Sequence, residues 1–160
     1  VGHTERDDLI SLVQAGRLMQ LATLDATGQP HLCHVWYAAT FDPDGLLYIS
    51  RPTRAHSANV RADPRVGGAI VTDIPPALGA TARGVTFTGT ATELATTGID
   101  DQLRTFLDRW SQAGGHVNAD TLADGTAPSR LYEITVTSWV LFDEDTYPDQ
   151  PRRPLPARQQ

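Results

Sequence analysis

The sequence contains no lysine; all 13 of its basic residues are arginine. Schiff-base chemistry and covalent attachment of pyridoxal phosphate both need a lysine amine, so both are excluded. Cysteine is almost absent. A single Cys33 excludes an internal disulfide and a multi-cysteine zinc or iron–sulfur centre. No apolar run approaches the roughly 20 residues that cross a bilayer as a helix, so no membrane partner is expected. Positive charge is in deficit: 19 acidic against 13 basic residues leave a formal net charge of −6. Such a surface repels phosphate backbones, and no nucleic-acid partner is expected. The opening residues Val1-Gly2-His3-Thr4-Glu5-Arg6 carry no basic-then-apolar signal pattern. A processed amino terminus and a cytoplasmic location are expected.

What remains is an ordinary globular composition. The 160 residues are 40% hydrophobic and 20% charged, enough for one domain with its own core. Residues 5–16 predict a helix, with Glu5, Asp7 and Asp8 in its first turn and Leu9, Leu12 and Val13 on one face. Strands are predicted over 18–24, 31–40 and 46–50, separated by the turn clusters Asp25–Pro30 and Asp42–Gly45. A short helix over 54–61 ends before Pro64. Strands follow over 66–72 and 83–94, then a helix over 99–112 whose Leu103, Phe106, Leu107 and Trp110 recur at helical spacing. Residues 113–129 read as an exposed loop, and 131–142 as the last strand. From Tyr147 the chain carries Pro148, Pro151, Pro154 and Pro156 and cannot be helical. It is expected to be disordered or to lie as an extended arm on a neighbouring protomer. The expected organisation is one domain over 1–146 and a proline-rich tail over 147–160. About six strands with three helices suggest a small β-barrel decorated by helices.

Two groups of residues stand out chemically. Ser50, Arg51, Arg54, His56 and Asn59 gather where a strand passes into a helix. A helix start offers free N–H groups, and arginine adds forked donors, so this junction is the best anion-binding candidate. His31, Cys33, His34, Trp36 and Tyr37 share one strand. Strand geometry turns His31 and His34 to opposite faces, so they cannot chelate one metal, and no metal site is assigned. Cys33 reads as a small buried filler. Ser50 and Ser57 lack the Gly-x-Ser-x-Gly elbow of serine hydrolases.

The order and spacing of several motifs resemble the pyridoxamine-phosphate-oxidase-like split-barrel family, in a poorly characterised bacterial branch. The residues that carry the likeness are Leu21-Ala22-Thr23-Leu24-Asp25 with Gly28-Gln29-Pro30-His31, then Leu47-Tyr48-Ile49-Ser50. The stretch from Arg54 to Val66 follows, then Arg83 to Ala91, and Tyr132-Glu133-Ile134. The resemblance implies a mainly β protein with short helices, built as a six-stranded split β-barrel of Greek-key type. It implies a homodimer with a cofactor site at each interface and a small-molecule substrate. The implied cofactor is FMN, with a deazaflavin coenzyme, heme or none as alternatives. His34, Val35 and Trp36 would border the ring; Ser50, Arg51, Arg54, His56 and Asn59 would hold the phosphate. Phe142 keeps an aromatic where the family has one near the ring. Family phosphate- and flavin-contacting positions fall at Cys33, Ala38, His56 and Gly84, whose side chains are here small or weakly charged. The expected activity is an FMN-dependent oxidoreductase. The alternatives are a non-flavin binding protein, for which His34 or His56 would supply a heme ligand, and an enzyme without cofactor using the same pocket.

Overall fold

A computed structural model describes residues 2–159. It begins with helix α1 (Glu5–Ala15). Thr4 caps it: its side chain accepts from the Asp7 N–H, while the Asp7 carboxylate accepts from the Thr4 N–H, so two otherwise orphaned donors are satisfied. Strands β1 (Leu18–Leu24), β2 (Pro30–Phe41) and β3 (Asp44–Ser50) follow as a meander. Helix α2 (Ala55–Ala62) leads to β4 (Arg65–Ile70) and β5 (Arg83–Glu93). Helix α3 (Asp100–Arg109), a 3₁₀ turn (Ser111–Gly115) and helix α4 (Ala119–Ala123) precede β6 (Arg130–Asp143) and β7 (Arg152–Pro156).

All strand pairs are antiparallel. β1 pairs with β2 and β4, β3 with β2 and β6, and β5 with β4 and β6, so six strands close on themselves. Closure removes the free edges on which other chains could pair. The expected β-barrel is therefore present. At the β5–β6 bulge between Thr88 and Gly89, a side chain at Gly89 would run into Ile134 and the Thr135 backbone. Only glycine lets the two strands approach this closely.

Period-two alternation sends Leu21, Val35, Tyr37, Tyr48, Ile134 and Trp139 to the barrel interior, and α1 closes one end with Leu9, Leu12 and Val13. A second core lies outside the barrel. Ala38 and Leu47, neighbours across β2–β3, pack beneath Leu103, Phe106, Val117 and Leu122. β3 is buried on both faces as a result, which explains the unbroken apolar run Leu46-Leu47-Tyr48-Ile49. Here the sequence reading needs correction: residues 113–129 are not an exposed loop. They form the 3₁₀ turn and α4, and Val117, Leu122 and Ala127 are buried in the outer core.

The proline-rich tail also departs from expectation. Residues 152–156 are extended, as expected, but they lie on their own chain. They are β7, paired with Ser138–Phe142 of β6 in the same chain. The edge position tolerates Pro154 and Pro156, because a missing N–H there leaves no partner unsatisfied. Beyond β7, Arg158 donates its N–H to the Asp44 carboxylate at 3.0 Å and accepts from the Asp44 N–H at 2.9 Å.

Asp44 is fully buried at its side chain and is the polar hub of this end of the barrel. Both Arg6 guanidinium nitrogens reach it, one at 2.8 Å, and Trp139 donates its indole N–H at 2.8 Å. Burial alone would raise the carboxyl pKa; the Arg6, Arg158 and Trp139 hydrogen bonds outweigh it and hold the group below the usual carboxylate range. Asp143 behaves likewise: burial opposes ionisation, while the Thr146 contacts and Arg83 overcome it. Because both folded pKa values are depressed, their stabilisation is complete above the unfolded value of about 3.9 and is lost as pH falls through the folded values. Thermal unfolding midpoints are accordingly expected to be flat near neutrality and to drop below about pH 4. Asp44→Ala strands the Arg6 charge in the barrel end and is expected to cost about 3–5 kcal/mol in chemical denaturation at pH 7. A cost indistinguishable from that of an exposed Asp→Ala control would show that the hub is dispensable.

Candidate functional site

The outer helical layer does not cover the whole barrel. It covers β2 from Ala38 onward, whereas Trp36 is half exposed. Where that cover stops and α2 begins, a cavity of about 1000 Å³ opens. This lies at the upper end of the roughly 300–1,000 Å³ of small-molecule sites. It is bordered by β2, the β3–α2 junction, and the segment from α3 through the 3₁₀ turn to Ser129.

Seven of the sequence candidates come together here: His34, Val35, Trp36, Ser50, Arg51, Arg54 and His56 all border the cavity. Asn59 does not. Its side-chain N–H donates to the Thr23 hydroxyl at 3.0 Å and fastens α2 to β1. Cys33, Ala38, Gly84 and Phe142 lie outside the cavity lining as well. Cys33 packs against the barrel core, and burial pushes its thiol up to about 11, so it is no ready nucleophile at neutral pH. Ala38 is under the outer helices, and Gly84 pairs with Phe142 across β5–β6.

At the junction, Ser50 Oγ and His56 Nε2 are 2.7 Å apart. Ser57 lies behind them, donating to the Arg51 carbonyl at 2.9 Å with its hydroxyl 3.1 Å from that of Ser50. Burial depresses the His56 pKa, and the nearby His31 and Arg54 depress it further. His56 is thus neutral at pH 7 and shares one hydrogen bond with Ser50. The pair has no orienting acid, since no Asp or Glu borders the cavity. It therefore lacks the third member of a hydrolytic triad. Helix α2 starts at Arg54 without any side-chain cap, leaving its first-turn N–H groups free for another acceptor.

The distribution of arginine partners is uneven. Arg6, Arg61, Arg65, Arg83, Arg104 and Arg153 form ion pairs, and Arg109 and Arg130 bind backbone carbonyls. Among the described residues, the three arginines that border the cavity, Arg17, Arg51 and Arg54, have no side-chain partner, and neither do Arg152 and Arg158 near the carboxyl end. A net-negative protein thus keeps an acid-free, arginine-lined cavity with four histidines on its walls: His31, His34, His56 and His116. Despite those histidines, the described residues contain no group of three or more His, Cys, Asp or Glu able to hold a metal ion.

The apolar wall is a tryptophan pair. Trp36 and Trp110 meet edge to face, with ring centres 4.9 Å apart and planes at 71°. The Trp110 indole N–H donates to the Tyr37 carbonyl at 2.7 Å, which fixes its ring beside β2. The sequence places Trp110 in a core stripe, weighs His31 only as a metal ligand, and does not single out Arg17, Gln112, His116 or Ser129. Arg17 was within reach of the hairpin register: a turn that pairs Leu24 with Pro30 also pairs Leu18 with Trp36 and sets Arg17 next to Tyr37. The residues after α3 gave no such signal, because their placement depends on a long-range packing contact.

Comparison with known proteins agrees with this architecture. A heme-binding protein from Mycobacterium smegmatis superposes with a TM-score of 0.77 at 16% identity over 98% of this chain; the chain spans 59% of that protein's length. A FAD-binding protein from Mesorhizobium loti gives 0.64 at 22% identity, covering 85% of this chain and 90% of that one. A conserved hypothetical protein from Mycobacterium tuberculosis gives 0.68 at 21% identity, covering 100% and 93%. Among curated proteins none matches. At these identities the structures speak for the fold alone. The sequence itself matches the pyridoxamine 5'-phosphate oxidase family over residues 7–142, nearly the whole barrel. The chain belongs to the pyridoxamine 5'-phosphate oxidase family, and its barrel is a split barrel of that type.

Proposed function

We propose that the cavity holds a flavin nucleotide, FMN in the first instance, and that the protein is an oxidoreductase acting on a small molecule. The observation that carries this reading is the joining of an acid-free arginine–histidine junction to an exposed tryptophan wall in one cavity. A flavin nucleotide has the matching chemistry, a phosphate at one end and a planar ring at the other. Arg51 and Arg54 would clamp the phosphate with forked donors that stay charged at any working pH. Ser50 and the free N–H groups at the start of α2 would satisfy its remaining oxygens. Trp36 would border the ring and shield it from water on one side. Bound flavin supplies hydride transfer; the protein's part is position and electrostatics.

Lysine is absent from this site, and Arg51 and Arg54 would supply the positive charge that Cys33, Ala38 and His56 do not. The structural likeness to a FAD-binding protein supports the flavin reading. The likeness to a heme-binding protein supports a second one, in which His34, exposed on the cavity wall, would be an axial ligand.

We further propose a homodimer. Leu32, 68% exposed, and the half-exposed Trp36 stand on the same outward face of β2, with Leu18 directly opposite Trp36 on β1. An apolar row of this kind beside a cavity marks a protein contact. A second copy laid on it would close the open side of the site. No helix among the described residues is long and apolar enough to cross a membrane.

Protein mixed with FMN and freed of excess is expected to retain a flavin absorbance band. Arg54→Ala should weaken that retention roughly tenfold or more, the scale of a lost charge-assisted hydrogen bond. A colourless protein after FMN, with a strong Soret band after heme that His34→Ala removes, would replace the flavin reading with the heme one. In sedimentation, the wild type should run at about twice the 17.3 kDa chain mass. Leu32→Glu should shift it to the monomer and lose flavin with it. A monomeric wild type that still retains FMN would refute the dimer and leave the cofactor reading intact.

A further inference from the structure

Arg17 is the cavity arginine for which the phosphate site has no use. It lies just before β1, and its backbone is fixed from both sides. Its carbonyl accepts from the Tyr37 N–H at 3.4 Å. The preceding carbonyl, of Gly16, accepts from the Arg109 guanidinium, which also binds the Gln14 carbonyl at 3.0 Å. The chain passes so close to Tyr37 and Ile70 that a Cβ at Gly16 would collide with both side chains. Arg109 is thereby committed to backbone oxygens and to the faces of Tyr37 and Trp110. Arg17 is held in place at its backbone, lines the cavity, and keeps an exposed side chain with no hydrogen-bond or ion-pair partner among the described residues.

Its location is distinct from the junction at α2. Arg17 adjoins Tyr37, whose carbonyl holds the Trp110 indole, so Arg17 stands at the tryptophan end. The α2 end is marked by Thr23, which accepts from Asn59 and pairs with His31. Arg17 and Thr23 are six residues apart along β1, or about 20 Å at ~3.3 Å per residue. No carboxylate borders the cavity between them.

We propose that Arg17 is a second anion-binding position, at the tryptophan end of the cavity, for a carboxylate or phosphate group. With the α2 junction it makes a site for negative charge at both ends. The second charge belongs either to a small anionic substrate seated beside the ring or to the far end of one long ligand. The geometry holds whichever cofactor occupies the α2 end, so the proposal does not depend on the flavin reading.

The test uses the full chain, with benzoate and its neutral isostere benzamide as probes, read by quenching of tryptophan fluorescence. Titrations are run in the wild type and in Arg54→Ala, which weakens the other anion position. Benzoate is expected to bind saturably in both and benzamide roughly tenfold more weakly. Arg17→Ala should weaken benzoate roughly tenfold, and Arg17→Lys by less, with the thermal midpoint unchanged. Benzoate binding that is unaffected by Arg17→Ala, lost instead in Arg54→Ala, or absent altogether overturns the proposal. Repeating the titration with FMN present separates the two sources. Benzoate bound alongside FMN assigns the second charge to a separate substrate, and benzoate displaced by FMN assigns it to one long ligand. A protein that ignores FMN but binds benzoate through Arg17 refutes the flavin reading and keeps the second anion position.

Discussion

Strand β2 has to serve two neighbours, and the site exists because it changes partner in mid-course. Pro30–Trp36 pairs with β1, and Tyr37–Phe41 pairs with β3. Tyr37 stands at the change and is bonded through every polar group it has. Its hydroxyl donates to the Val13 carbonyl at 2.5 Å, its N–H reaches Arg17, and its carbonyl holds Trp110. Burial pushes its phenol well above the ordinary range, so it remains a donor at any physiological pH. The residue ties α1, the barrel and the outer helical layer together. On one side of it β2 is covered; on the other, Trp36 and His34 are left to line a cavity.

Electrostatics then separates the cavity from the rest of the molecule. Most arginines here are matched by a carboxylate or a carbonyl, and the buried Arg6–Asp44 pair shows how completely the fold satisfies a charge that serves structure. The cavity arginines are left unmatched. Unmatched charge raises the free energy of the empty protein through mutual repulsion, and an anionic ligand relieves it. His56 fits the same pattern. Burial keeps it neutral at rest, so it adds hydrogen bonding without adding a third fixed charge beside Arg51 and Arg54.

Much of the barrel was legible in the sequence because its signals are local. Alternation along Val85, Phe87 and Gly89, turn clusters such as Asp25–Pro30, and acidic first turns in α1 and α3 all act within a few residues. The junction Ser50–His56 was legible for the same reason. What escaped depends on contacts distant in sequence. The segment 113–129 has few apolar residues, and only packing on Ala38 and Leu47 turns Val117 and Leu122 into core. Prolines rightly excluded a helix from the tail, yet whether it joined its own sheet depended on the edge that β6 offers beyond its pairing with β3. Asn59 follows Arg54 and His56 closely in sequence yet is absent from the cavity lining, because its side chain is bound to Thr23 on β1, a contact distant in sequence.

The central claim is that the α2 junction is built for the anionic end of a planar cofactor. Its most direct test is the affinity of FMN against riboflavin, which differ only by the phosphate, read by quenching of flavin fluorescence. The account predicts that FMN binds at least tenfold more tightly, the scale of one or more charge-assisted hydrogen bonds. Equal affinities, or tighter riboflavin binding, would contradict it: the unpaired arginines would then have no part in holding the cofactor.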